Sequence, residues 1–139
     1  TPNVTPRINY EAFDPNAPSS RRRGIYRFLF RNINDSLLEA FDAVDPSLSA
    51  PRRNETITAL QALSLYNNRF VLSQCEHLAA RLEREAASIE ARIDRACLLL
   101  FGHAPEPEIK AELVAYATRH GLANACRVLI NSNEFLFVN

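Results

Sequence analysis

The chain has 139 residues, 47% of them hydrophobic and 23% charged, which suits a single globular domain with one real core. Sixteen basic and sixteen acidic residues cancel, and a pI near 6.8 gives no electrostatic reason to expect nucleic acid or an anionic membrane as a partner. No apolar run approaches the ~20 residues that span a bilayer. The three cysteines form neither C-x-x-C nor C-x-x-C-H, which excludes a zinc ribbon and a c-type haem attachment site in this segment.

The chain begins at Thr1 and contains no Met, so it is expected to be a processed product or an excised part of something longer. Missing export signals therefore carry no information. Residues 1–20 hold four of the eight prolines and no periodicity, and read as an extended arm that Tyr10 and Phe13 could pin to the body. The domain proper is expected over residues 21–139. It opens on the basic run Arg21–Arg23, either a solvated helix start or a phosphate contact.

Ile25, Phe28, Leu29 and Ile33 recur at helical spacing and predict a helix over Ile25–Asn32. Asp35 or Ser36 can cap a short second helix carrying Leu37, Leu38 and Phe41. Pro46 and Pro51 then bracket a segment that cannot be helical throughout.

Thr58 followed by Gln61 fits a capping box, in which a hydroxyl and an amide satisfy the first free N–H groups of a helix. The helix it opens carries Leu60, Leu63, Leu65 and Tyr66, and Asn67-Asn68 can break or kink it. Phe70, Val71, Cys75, Leu78, Ala79 and Leu82 continue an apolar face to about Glu85. Ser88 can cap the next helix, whose Ile89, Ile93, Ala96, Cys97, Leu100 and Phe101 give a strong amphipathic signal that Gly102 terminates.

Pro105 and Pro107, with Glu106 and Glu108, fit a helix first turn. That helix buries Ile109, Leu113, Tyr116 and Ala117 and stops at Gly121. Leu122, Cys126, Leu129 and Ile130 make the last helix, and Phe135–Val138 is the one segment that could pair as a short strand. The sum is an all-α domain of five to six helices in an irregular orthogonal or bundle-like array. Cys75, Cys97 and Cys126 fall on apolar helix faces and read as buried free thiols, with one disulfide plus one thiol as the alternative.

Chemistry is sparse. Gly24, Gly102 and Gly121 stand alone, so no phosphate-cradling loop exists, and there is no H-E-x-x-H or G-x-S-x-G. His77, His103 and His120 are far apart, and Cys75 and His77 point to different helix faces, so no metal site is expected. Asn3, Asn34 and Asn54 head glycosylation sequons that matter only in a eukaryotic secretory route.

The densest polar stretch is central. Asp42 and Asp45 precede Pro46, and Arg52, Arg53 and Thr56 precede the helix that carries Gln61 and Asn67. Two carboxylates and two guanidiniums can form a bidentate clamp that holds the loop. The same groups can instead line a polar pocket at a helix N-terminus, suited to a carboxylate, a phosphate or sugar hydroxyls. As an acid and base pair they could act on a polysaccharide-derived or other small-molecule ligand.

The order of RRRGIY, LLEAFDAVDP, PRRNETITALQALSLYN, LLLFGHAPEPE and CRVLINSNEFLFV resembles the C-terminal domain of unknown function (PSD-type) of large planctomycete secreted proteins that also carry a planctomycete-type cytochrome c domain. The resemblance covers about residues 21–139. Its strongest parts are Arg52 and Arg53 leading into Thr58, Gln61, Ala62, Leu63, Leu65 and Asn67, and the closing stretch Asn131–Leu136. The family often shows G-R-x-P where this chain has Gly102, His103, Ala104 and Pro105, so an arginine–carboxylate contact there would be missing. It often has T-P-L-Q at the helix start, where Ala59 replaces the proline harmlessly.

The resemblance implies a bacterial, exported, periplasmic or cell-surface parent of several domains, with haem c elsewhere in the parent and no cofactor in this segment. It implies upstream domains of the same parent as partners and no agreed reaction. Two roles follow: a helical module that docks on and positions those domains, or part of a redox or hydrolytic enzyme with the Asp/Arg pocket. Carbohydrate binding without chemistry ranks last, because the chain has no Trp and its other aromatics sit in core patterns.

Overall fold

An asparagine pair and two glycines punctuate the second half of the chain. A computed structural model describes residues 12–22, 26, 38, 40–41 and 59–136. The described helices are α1 (Ala59–Asn67), α2 (Arg69–Glu85), α3 (Ile89–Phe101), α4 (Pro107–His120), α5 (Leu122–Ile130) and the four-residue α6 (Asn133–Leu136). Among the described residues the architecture is all-α, and no helix is long and apolar enough to cross a membrane.

The chain divides into an N-terminal unit, Thr1–Ser64, and a C-terminal unit, Leu65–Asn139. In the first, Asp14 organises a turn: its carboxylate accepts from Asn16 N–H at 2.9 Å and its carbonyl accepts from the buried Ser20 hydroxyl. A 3₁₀ turn follows over Pro18–Arg21. Leu38 and Ala40 are helical, where the short second helix was expected. The helix expected over Ile25–Asn32, the loop between Pro46 and Pro51, and the Thr58 cap lie outside the described residues.

In the second unit each boundary has a local cause. The chain breaks at Asn68, whose side chain accepts from Phe70 N–H at 2.8 Å and so caps α2. Ser88 caps α3 through Ala91 N–H at 3.2 Å. Pro107 opens α4 with Glu108 in its first turn, while Pro105 stays outside the helix. Asn133–Leu136 is not a strand: Phe135 and Leu136 belong to α6, because Ser132 O accepts from both of their N–H groups at 3.2 Å, while Phe137 and Val138 lie outside the described residues.

Helix α2 packs along α5, α4 packs against both α3 and α5, and α3 also meets α2. The core they enclose is built from few large side chains. Leu82 and Ile93 are the large aliphatics with no exposed surface, and Cys75, Cys97 and Cys126 are the other large side chains buried to 2% or less. Ala96 and Ala125 are also fully buried, and Val71, Leu113, Leu122 and Leu129 complete the core. All three cysteines are free and buried, as their helix faces imply.

The α2–α3 corner is tied by ion pairs. Glu85 takes Nε of Arg81 at 2.6 Å and Nε of Arg95 at 2.7 Å, and Arg92 donates to the carbonyl of Ala86 at 2.9 Å. The hydrogen bonds from Arg81 and then Arg95 hold the Glu85 carboxyl below its ordinary range.

Gly102 ends α3 in the left-handed region at φ 84°, where a Cβ meets nothing within 4 Å. Gly102→Ala is therefore expected to lose about 1–2 kcal/mol of stability through backbone conformation alone. Gly102→Asn should recover part of that, since Asn tolerates this region better. Urea denaturation of the two variants checks both values.

Candidate functional site

Of the residues singled out by sequence, Asp42, Asp45, Arg52, Arg53 and Thr56 lie outside the described residues. Gln61 and Asn67 lie on α1. Asn67 closes that helix, and its side-chain oxygen accepts from Nη2 of Arg127 at 3.2 Å. Nε of the same arginine donates to the Tyr66 carbonyl at 2.8 Å, and its guanidinium lies 3.7 Å from the centre of the Tyr66 ring. One side chain thus satisfies a helix-end carbonyl, stacks on an aromatic face and anchors the end of α1 to α5.

Sequence reading did not single out Arg127. Its signal was weak but present: it is the only charged residue among the nine of α5, near a C-terminus that favours cations.

The described cavity is an open groove of about 670 Å³ between α3 and the start of α4. Ala91 and Leu98 of α3 line one side, and Ala104, Pro105 and Pro107 line the other with conformationally fixed chain. Leu98 is 48% exposed, which is high for a leucine. Ile109, expected on the buried face of α4, is instead exposed because it lies in the helix's first turn beside the groove, while Leu113 and Ala117 further along are buried. Asp94, Arg95 and Lys110 complete the lining. Their charges are spoken for: Lys110 Nζ sits 2.6 Å from Asp94, and Arg95 is held by Glu85. The groove therefore offers apolar surface and internally neutralised ion pairs, a combination that suits an uncharged apolar partner more than an anionic or cationic ligand.

His103 adjoins Ala104 of the groove wall. His103 Nε2 meets Oε1 of Glu134 in α6, and His103 Nδ1 lies 2.9 Å from the Ala104 carbonyl.

Among the described residues no three or more His, Cys, Asp or Glu side chains group in a way that could hold a metal ion. Cys75 is buried while His77, two residues on, is exposed, as their spacing on one helix dictates. His120 lies against Tyr116, with ring centroids 4.6 Å apart.

The family model described as "PSD1: Protein of unknown function (DUF1553)" matches residues 1–117, well over half of the chain. The matched stretch takes in the N-terminal arm, which the sequence motifs left out. It stops within α4, short of the Asn131–Leu136 motif. No curated protein and no solved structure matches.

Proposed function

We propose, from the premise that this chain belongs to the PSD1 family, that it is a helical docking module that positions other domains of a larger parent protein. The observation that carries this reading is the α3–α4 groove, where exposed Leu98 and two prolines stand beside ion pairs that neutralise themselves. An apolar segment of an upstream domain is its occupant, since such a surface gains most from losing water. The parent is an exported, periplasmic or cell-surface protein with haem c in another domain. Support for that part is the order of the motifs from Arg21 to Leu136, and no residue of this chain is assigned to the haem.

The alternative is a redox or hydrolytic enzyme with an Asp/Arg pocket for polysaccharide-derived substrates. It rests on Asp42, Asp45, Arg52 and Arg53, and no observation favours it.

Lys110 supplies the test, because it is the chain's one lysine and lines the groove. In the parent protein, amine acylation of Lys110 should run severalfold slower than in the isolated chain. Leu98→Gln in the parent should restore the rate while changing stability by less than about 1 kcal/mol, since it adds no charge beside the Asp94–Lys110 pair. Equal labelling of Lys110 in parent and isolated chain means that the groove stands open, and the docking role falls.

A further inference from the structure

The geometry points to a proton-dependent clasp: His103, in the turn between α3 and α4, holds the C-terminal helix α6 through Glu134 while its imidazole is protonated, and releases it when neutral. Both ring nitrogens of His103 face acceptor oxygens, Nδ1 the carbonyl of Ala104 and Nε2 the carboxylate of Glu134. A neutral imidazole carries one N–H and can satisfy only one of them, leaving a lone pair against an oxygen at the other. The imidazolium satisfies both. The two contacts push His103 above its ordinary value, the Ala104 carbonyl first and Glu134 next.

What the clasp holds is poorly held otherwise. Helix α6 has four residues, far below the length at which a helix persists alone. It leans on α3 and α5, but Phe135 and Leu136 remain more than a third exposed. The charged group that faces His103 is Glu134. On α3, the titratable group that senses Glu134 is the buried Cys97 thiol, and Phe101 offers its ring to His103 at 6.2 Å. On α5, Arg127 is engaged by Tyr66 and Asn67, and Cys126 is buried in the core. Carboxylate and imidazolium are both half exposed, so water reaches the pair and opening needs no disruption of the core.

The sign follows from a raised histidine value. The clasp is fully closed below the ordinary value of about 6.5 and is lost as pH rises through the higher folded value. Because His103 adjoins Ala104 and Pro105, the same protonation event sets whether α6 is fastened beside the groove wall. This does not depend on what the groove binds.

The full chain is followed by NMR. Amide exchange at Phe135 and Leu136, corrected for the intrinsic pH dependence, should lose about two- to fivefold in protection between about pH 5.5 and about pH 8.5, the range an exposed ion pair supplies. His103→Arg, charged throughout, should keep the protection at both pH values, and His103→Ala should lack it at both. Glu134→Gln should lower the midpoint of the His103 ring titration. Flat protection in the native chain overturns the clasp, and so does a His103 midpoint that Glu134→Gln leaves in place.

Discussion

Leu82→Ala is expected to destabilise the C-terminal unit by about 2–5 kcal/mol, the range for deleting three heavy atoms from a fully buried leucine. Leu82 has no exposed surface, and it shares the core with Ile93, Val71, Leu113, Leu122 and Leu129, three cysteines and fully buried Ala96 and Ala125. The alanines and cysteines among these have no long side chains that could swing into the void, so filling it falls to the larger aliphatics. Of the helices that supply them, α2 is capped by Asn68 and α3 by Ser88 and Gly102. How far those aliphatics relax sets where in the range the loss falls.

A domain of this size has roughly 5–15 kcal/mol in total, so the loss is a large share of it. The melting temperature should fall by about 10 °C or more. Leu82→Met, which conserves volume, should lose less than about 1.5 kcal/mol. Urea denaturation followed by far-UV circular dichroism measures both. A loss below about 0.5 kcal/mol for Leu82→Ala would mean that this core is not what holds the unit together.

The second large effect is chemical. Burial raises the Cys126 thiol from 9.0 to about 12, with a further push from Cys75. Only the thiolate attacks an alkylating agent. Ionisation alone thus slows native-state alkylation of Cys126 about a thousandfold relative to an unfolded chain, given a shift from 9.0 to about 12. Cys75 and Cys97 are raised in the same direction, again by burial first.

Iodoacetamide followed by intact-mass analysis should leave the native chain unmodified and give three adducts in denaturant. A native chain whose Cys126 reacts as fast as the unfolded one would refute the burial of that thiol. The same shift sets a stability trend. The folded state keeps its proton on Cys126 while the unfolded chain loses it, so stability is intact below pH 9 and falls as pH rises towards 12. The slope is about 1.4 kcal/mol per pH unit for each such thiol. Denaturation at about pH 8 and about pH 10.5 measures it.

The elements from Arg69 to Ile130 were legible because their signals are local. Apolar residues at helical spacing are bounded by Asn68, Ser88, Pro107 and two glycines, and each cap acts on backbone groups within four residues of itself. The buried thiols follow from the same faces. The strand reading of Phe135–Val138 failed at Phe135 and Leu136 because a run of apolar residues has no period to distinguish strand from helix. Ser132 decided it by accepting the amides of Phe135 and Leu136. Pro105 was placed one turn too far into a helix, since a first-turn proline signal does not say which of two prolines occupies the turn.

By itself, then, the sequence determined the helical class, most ends of α2 to α5 and most of their buried positions, with Ile109 the exception that the structure leaves exposed. These depend on propensity, capping and periodicity within a few residues. Only the tertiary structure decided which distant side chains meet. Arg127 closes a helix that ends sixty residues earlier. His103 reaches Glu134 across thirty-one residues. Asp94 takes Lys110 at the groove. Such contacts are set by how helices lie against one another, and no spacing rule within a single helix encodes them.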